Sequence, residues 1–206
     1  MGRIEEICSY IDECESFADI GCDHGYCTLH ALKSGKCKKA IISDVSKKSL
    51  AKAERLLSSY IADGRCKSVC CDGLGGIDRE CELVLIAGMG GMEIIKILTE
   101  GFIPQRFIFQ PMKNSEELRS FLIANGCKIT ADDIFIDGKY YFIIKGERIG
   151  GTKEYSKEEL AFGRDSLNNP VFKQFAQKEI GKLSAFELTP ELETKINFIK
   201  KAASLQ

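Results

Sequence analysis

"CKITADDIFIDGKYYFIIKGER", residues 127–148, holds two strand-like runs joined by Asp137-Gly138. Asp-Gly between alternating apolar residues is a strong hairpin signal, because a tight hairpin turn needs positive φ at its centre. The stretch therefore predicts an antiparallel pair. Everything before it reads differently. Strand-like runs at 16–21 ("SFADIG"), 39–45 ("KAIISDV"), 67–73 ("KSVCCDG"), 81–91 ("CELVLIAGMGG") and 106–111 ("RFIFQP") alternate with helical patterns at 25–35, 46–64, 91–101 and 114–126. Residues 3–14 predict one more short helix at the start. Near-continuous apolar strands alternating with helices mean a parallel sheet covered on both faces. The expected fold is α/β, a Rossmann-like sheet of five parallel strands closed by a terminal antiparallel hairpin.

The helical segments carry their own punctuation. Residues 46–64 have a Ser46 cap, apolar Leu50, Ala53, Leu57 and Tyr60, and a Gly64 stop; 114–126 start at Asn114 or Ser115 and stop at Gly126. After Gly150-Gly151 the composition shifts. Ser156 and Glu159 form a capping-box pattern, and Asn169-Pro170 and Thr189-Pro190 each read as a cap followed by proline in the first turn. The expected organisation is a main domain over 1–148 and a small helical appendage over 149–206, built as a helix hairpin.

The chain has 206 residues, 44% hydrophobic and 29% charged, with a net charge of −1. That is ordinary globular composition, with no global electrostatic footprint for nucleic acid. The appendage is balanced too, with ten basic against nine acidic residues from Gly146 on, which argues against a strong RNA clamp there. The lysines of "KSGKCKK" (33–39) read as a solvated loop or a phosphate-contacting patch, and Lys47, Lys48, Lys52 and Arg55 on the next helix as a solvated face. The longest apolar run, 83–92, is too short to span a bilayer, and the first residues lack an apolar signal core. The expected location is cytoplasmic, with no membrane partner. Ten cysteines occur, but no C-x-x-C pair and only two histidines, His24 and His30. No metal site is expected; most cysteines should be reduced, buried small apolar residues.

In doubly wound sheets, ligands bind outside the carboxyl ends of the strands. Nearly every glycine-rich or acidic turn of this chain falls there. Asp19, Gly21, Asp23, His24 and Gly25 surround the end of the first strand. Asp44 ends the second, Asp72 and Gly73 the third. Gly88, Met89, Gly90 and Gly91 follow the fourth, and Gln110, Pro111, Lys113 and Asn114 the fifth. Asp44 is placed to accept hydrogen bonds from ribose hydroxyls, which both NAD and S-adenosylmethionine offer. The first turn discriminates between them. It lacks G-x-G-x-x-G, and Asp23 would repel a pyrophosphate at the helix N-terminus. S-adenosylmethionine has no phosphate and carries a sulfonium and an ammonium, so an acid there is an asset. Asp72 suits the adenine amino group as an acceptor facing a donor. The reversed last strand favours S-adenosylmethionine as well.

"ADIGCDHGY", "SDVSKKSL", "CDGL", "VLIAGMGGMEI" and "QPMKNSEELRSFL", in this order and spacing, resemble the bacterial tRNA (adenine-N1)-methyltransferase family TrmK. The resemblance covers about residues 3–148. It implies a class I methyltransferase that uses S-adenosylmethionine to methylate N1 of the adenine at tRNA position twenty-two. It further implies that Asp19, Gly21, Asp23, Gly25, Asp44, Asp72, Gly73 and Gly88 hold the cofactor and that Met89, Gly90, Gly91, Gln110, Pro111, Lys113 and Asn114 face the target base. Methylation at N1 leaves a cationic adenine, so the chemistry makes Asp23 the candidate to stabilise that charge or take a proton, with His24 orienting the base or the acid. Methylation of another RNA or a small molecule, a nicotinamide-dependent oxidoreductase, and a non-catalytic RNA-binding module are the alternatives. The residues leave the oligomeric state open.

Overall fold

The computed structural model describes residues 2–151 and 154–204. Helix α1 (Arg3–Ser9) leads into β1 (Cys14–Ile20), then α2 (Tyr26–Lys33), β2 (Cys37–Asp44), α3 (Lys47–Leu56), α4 (Ser58–Ala62) and β3 (Cys66–Cys70). There follow β4 (Leu83–Met89), α5 (Gly91–Glu100), β5 (Arg106–Pro111), α6 (Ser115–Ala124), β6 (Lys128–Asp137) and β7 (Lys139–Glu147). The sheet order is β3-β2-β1-β4-β5-β7-β6. Strands β1 to β5 are parallel, and β7 runs antiparallel to both β5 and β6. The Asp137-Gly138 turn thus closes the predicted hairpin, with Gly138 at φ +64°.

Successive strand residues point to opposite faces, and both faces are apolar. Phe17, Leu83 and Leu85 pack with Leu50 and Ala53 of α3, Leu57 just after it, and Ile7 of α1 on one side. Ala18, Val84 and Ile86 pack with Ile94 and Leu98 of α5 and Leu118 and Leu122 of α6 on the other. Eight of the ten cysteines are buried and all ten are free thiols, which fits their reading as small core residues.

Three boundaries differ from expectation. The first helix stops at Ser9, because the next residues are drawn into the sheet: Cys14 N–H donates to Lys36 O (2.8 Å) and Cys14 pairs with Cys37. The long helix expected over 46–64 is two helices broken at Leu57, whose backbone departs to φ −101°, ψ +14°. Asn114 sits at φ +57° and makes no side-chain cap; its amide donates instead to Glu117 Oε1 at 2.9 Å.

The appendage has α7 (Lys157–Phe162) behind its Ser156/Glu159 capping box, a 3-10 turn at Ser166–Asn168, and the helices α8 (Pro170–Leu183) and α9 (Pro190–Ala202). It docks on the hairpin. Ile134 of β6 shares a core with Phe172, Ala176, Ile199 and Ala203. A fully buried ion pair, Arg119 of α6 with Asp132 of β6 (2.9 Å), sits beneath it, and Arg119 Nη1 also donates to the Leu160 and Ala161 carbonyls.

Candidate active site

The carboxyl ends of β1 to β4 enclose a cavity of about 550 Å³. Its floor is the turn after β1. Gly21 (φ +68°), Asp23 (φ +43°) and Gly25 (φ +75°) are all left-handed, which turns the chain sharply from strand to helix. Gly21 and Cys22 N–H donate to Ser43 O at 2.8 and 3.1 Å, tying this turn to β2. The positive φ of Gly21 favours glycine, and its open Cβ position is filled by the Met89 methyl from the β4 turn. Gly25 has another job. It does not line the cavity; its missing Cβ makes room for Ala53 and Leu57, which seat α3 on α2.

Asp19, Gly21, Asp23, His24, Asp44, Asp72, Gly73, Gly88 and Met89 all line the cavity, so the structure brings most of the expected residues together. Asp19 is buried and accepts from Thr28 Oγ1 at 2.8 Å. Burial pushes its carboxyl up to about 6, and Asp44 adds repulsion. Asp44 Oδ1 accepts from Ser46 N–H at 2.7 Å. Asp19, Asp23, Asp44, Asp72 and Glu93 line the cavity against the single guanidinium of Arg3. This lining suits a cationic ligand and opposes a pyrophosphate. Ser43 Oγ is buried at the cavity wall and has no hydrogen-bond partner among the described residues.

Two residues had escaped the sequence reading. Arg3 reaches from α1 into the cavity: Nε donates to Gln110 Oε1 at 3.0 Å and the guanidinium lies over the Tyr141 ring at 5.2 Å. Its Nη2 lies 2.8 Å from where a Gly88 Cβ would be, so the glycine at 88 (φ +83°) makes space for this side chain. Lys52 of α3 is the second. Rather than being merely solvated, it places Nζ 3.3 Å from Asp23 Oδ1 and 3.5 Å from His24 Nε2. His24 also stacks on Tyr26 (5.5 Å, 12° between planes), and Tyr26 is half exposed at the rim.

The base-facing set is divided. Gly90 lies against the Lys113 side chain, and Gly91 against the Asn114 carbonyl, 2.1 Å from its would-be Cβ. Gly91 N–H donates to Lys113 O, and Met112 N–H to Met89 O, both at 2.8 Å. Glycine at 91 therefore serves the packing of the β4 and β5 loops on each other and leaves no room for a base against it. Gln110 and Pro111 are buried under this shelf, with Gln110 Nε2 donating to Pro111 O. Met112 and Lys113 are exposed on it, beside the cavity. Among the described residues, no group of three or more His, Cys, Asp or Glu is arranged to hold a metal ion.

Five parallel strands, one reversed strand between β5 and β6, and an acid-lined cavity at the carboxyl edge define a Rossmann-like methyltransferase. Residues 1–144 match the family model described as a methyltransferase domain, and the chain belongs to that family. A Mycoplasma pneumoniae protein named "Putative tRNA methyltransferase" is 30% identical over 167 residues, which is 80% of this chain and 78% of that protein. The Bacillus subtilis tRNA (adenine(22)-N(1))-methyltransferase is 26% identical over 198 residues, 93% of this chain and 80% of the relative. Among solved structures, a Streptococcus pneumoniae protein described as "a putative tRNA (m1A22) methyltransferase", in complex with S-adenosyl-L-methionine, superposes with a TM-score of 0.89 at 30% identity, covering 98% of both chains. The resemblance carried by the motifs is borne out.

Proposed function

We propose that this protein is an S-adenosylmethionine-dependent methyltransferase that acts on N1 of an adenine in the tRNA D-arm, at position twenty-two. The observation that supports it most is the acid-lined cavity, which faces one guanidinium and opens onto a half-exposed His24–Tyr26 stack. The cofactor supplies an electrophilic methyl group on a cationic sulfur. Arg3 would pair with its carboxylate, Asp19 would balance its ammonium, and Asp44 would accept from the ribose hydroxyls. Asp72 would face the adenine amino group, and Gly73 (φ +52°) turns the chain beside it against Ile97.

N1 of neutral adenine holds its lone pair in the ring plane and needs no base to become nucleophilic. The residues therefore act mainly by holding N1 in line with the methyl group. The base must leave its helix to reach them, because N1 lies on the pairing edge. The His24–Tyr26 stack and the Met112–Lys113 shelf flank the mouth where the extruded base enters. Methylation leaves the adenine cationic. Asp23, beside the mouth, stabilises that charge or accepts a proton from the amino group, and His24 orients it.

The test is methyl transfer from labelled S-adenosylmethionine to unmodified bulk tRNA, read by nucleoside mass spectrometry. 1-Methyladenosine, lost when nucleotide twenty-two is mutated, is the expected result. An Asp23→Ala protein should bind the cofactor and lose about 10²–10⁴-fold in turnover. A label appearing only in another RNA or a small molecule would overturn the substrate assignment, and full turnover by Asp23→Ala would remove Asp23 from catalysis.

A further inference from the structure

Helix α3 presents a row of cations beside the active-site mouth. Lys48, Lys52 and Arg55 stand at i, i+4 and i+7, so their side chains form one line along the helix. The face of α3 that carries Leu50, Ala53 and Leu57 is buried against the sheet, and this row lies away from it. The only acid of the helix, Glu54, accepts from Ser68 Oγ at 2.5 Å. Lys48 and Arg55 are exposed, and neither has a carboxylate within ion-pair distance among the described residues. Solvent alone would account for such a row on an ordinary surface helix. Two features of its surroundings go further.

The first is contact with the site. Lys52, the middle of the row, touches both Asp23 and His24, so the line of charge runs along the cavity mouth. The second is asymmetry. Across the mouth the exposed charges at the starts of α5 and α6 are acidic, Glu93, Glu116 and Glu117, with Lys113 between them. In a chain of net charge −1 with a balanced appendage, a polyanion meets its most favourable approach to the mouth along α3.

We infer that Lys48, Lys52 and Arg55 form the track for the phosphate backbone of the substrate RNA, with Lys52 meeting the phosphate next to the extruded nucleotide. This rests on the RNA methyltransferase reading above. It also gives Lys52 a place in the sequence of events. Before substrate binds, Lys52 occupies the Asp23 carboxylate. A phosphate arriving on Lys52 would draw it off this exposed contact and leave Asp23 facing the adenine.

The test compares wild-type protein with Lys48→Ala/Arg55→Ala and with the triple variant that adds Lys52→Ala. The readouts are affinity for an unmodified tRNA transcript at several salt concentrations, and cofactor affinity by calorimetry. Each lost phosphate contact should flatten log Kd against log salt by roughly 0.7–0.9, so the double variant should lose roughly 1.4–1.8 and the triple roughly 2.1–2.7. Affinity at low salt should fall roughly tenfold or more, while cofactor affinity stays within twofold for the double variant. Lys96→Ala, on the acidic side and paired with Glu100, serves as control and should leave the slope unchanged. A double variant with the wild-type slope overturns the track, because a purely structural role for these cations would change stability without changing the slope. Wild-type protein that binds tRNA with the expected slope but forms no 1-methyladenosine would retain the track and reject the reaction. Wild-type protein that does not bind tRNA would reject both.

Discussion

Arg3 Nε donates to Gln110 Oε1 at 3.0 Å, which joins the first helix to the end of the fifth strand across the cavity. The same guanidinium leans on Tyr141 and fills the space left by Gly88, while Arg3 N–H donates to Asp137 Oδ2 at 2.8 Å. Such a side chain is held in place before any ligand arrives. A charge-assisted hydrogen bond to a ligand carboxylate is worth about 1.5–3 kcal/mol. Arg3→Ala should therefore weaken S-adenosylmethionine binding by roughly 10- to 150-fold in calorimetry. Arg3→Lys should recover only part of it, since an ammonium cannot serve Gln110 and a carboxylate with the same fork. Unchanged affinity in Arg3→Ala would remove Arg3 from the cofactor site.

The appendage is predicted to depend on one buried charge pair. Arg119 and Asp132 are both fully buried, and Arg119 Nη1 donates to the Leu160 and Ala161 carbonyls while Arg164 N–H donates to Asp132 Oδ2 at 3.4 Å, so the pair also holds α7 and the segment after it. Removing one member of such a pair leaves a buried charge uncompensated and costs about 3–5 kcal/mol. Arg119→Met should lower stability by that amount in urea unfolding. It should also speed proteolysis of the appendage. The double variant Arg119→Met/Asp132→Leu should recover much of the loss, because it strands no charge.

The strands, the antiparallel hairpin and the site's location were legible because apolar strands, glycine turns and Asp137-Gly138 are local signals; the order of the strands in the sheet, with β7 between β5 and β6, is set by long-range pairing and was not. Asp19, Asp23, Asp44 and Asp72 fell into one cavity because the topology places every β-to-α turn on one edge. Arg3 and Lys52 were not legible. Each reaches the site from a helix whose own pattern speaks only of amphipathicity, and what brings them there is packing: Gly88 leaves space for one, and the Gly25–Ala53 contact seats the other. Gly91 was misread for the converse reason. A glycine in a binding loop invites a ligand explanation, but here the atom that takes its Cβ space belongs to Asn114. The break at Leu57 was likewise hidden, since the apolar periodicity runs on through it.

Thiol reactivity should follow burial. Burial pushes Cys14, Cys66 and Cys127 up to about 11 and Cys37 to about 12, so little thiolate forms at neutral pH. Cys70 is exposed and Cys71 is partly exposed. Native iodoacetamide labelling with mass spectrometry should modify these two and spare the other eight, all of which react in urea. Cys71 lines the cavity and Cys70 does not, so saturating S-adenosylmethionine should protect Cys71 alone. Equal labelling of Cys71 with and without cofactor would move the ligand away from that wall.

Asp19 should make both stability and cofactor binding depend on pH, with opposite signs. Burial raises its carboxyl from 3.8 to about 6. Between those values the folded protein holds a proton that the unfolded chain has lost, so folding gains from this group below pH 3.8 and loses that gain as pH rises to 6. A cationic ligand prefers the charged form. Affinity for S-adenosylmethionine should therefore rise through pH 6, and fall by up to about tenfold per unit below it. Asp19→Asn carries no titrating group. It should be relatively more stable than wild type above pH 6 without cofactor, bind cofactor more weakly there, and lack the step near 6. Thermal unfolding and calorimetry from pH 4.5 to 8, taken as wild type minus variant, isolate this group from the other carboxyls. A wild-type affinity that is flat across pH 6 would place the ammonium of the cofactor elsewhere than on Asp19.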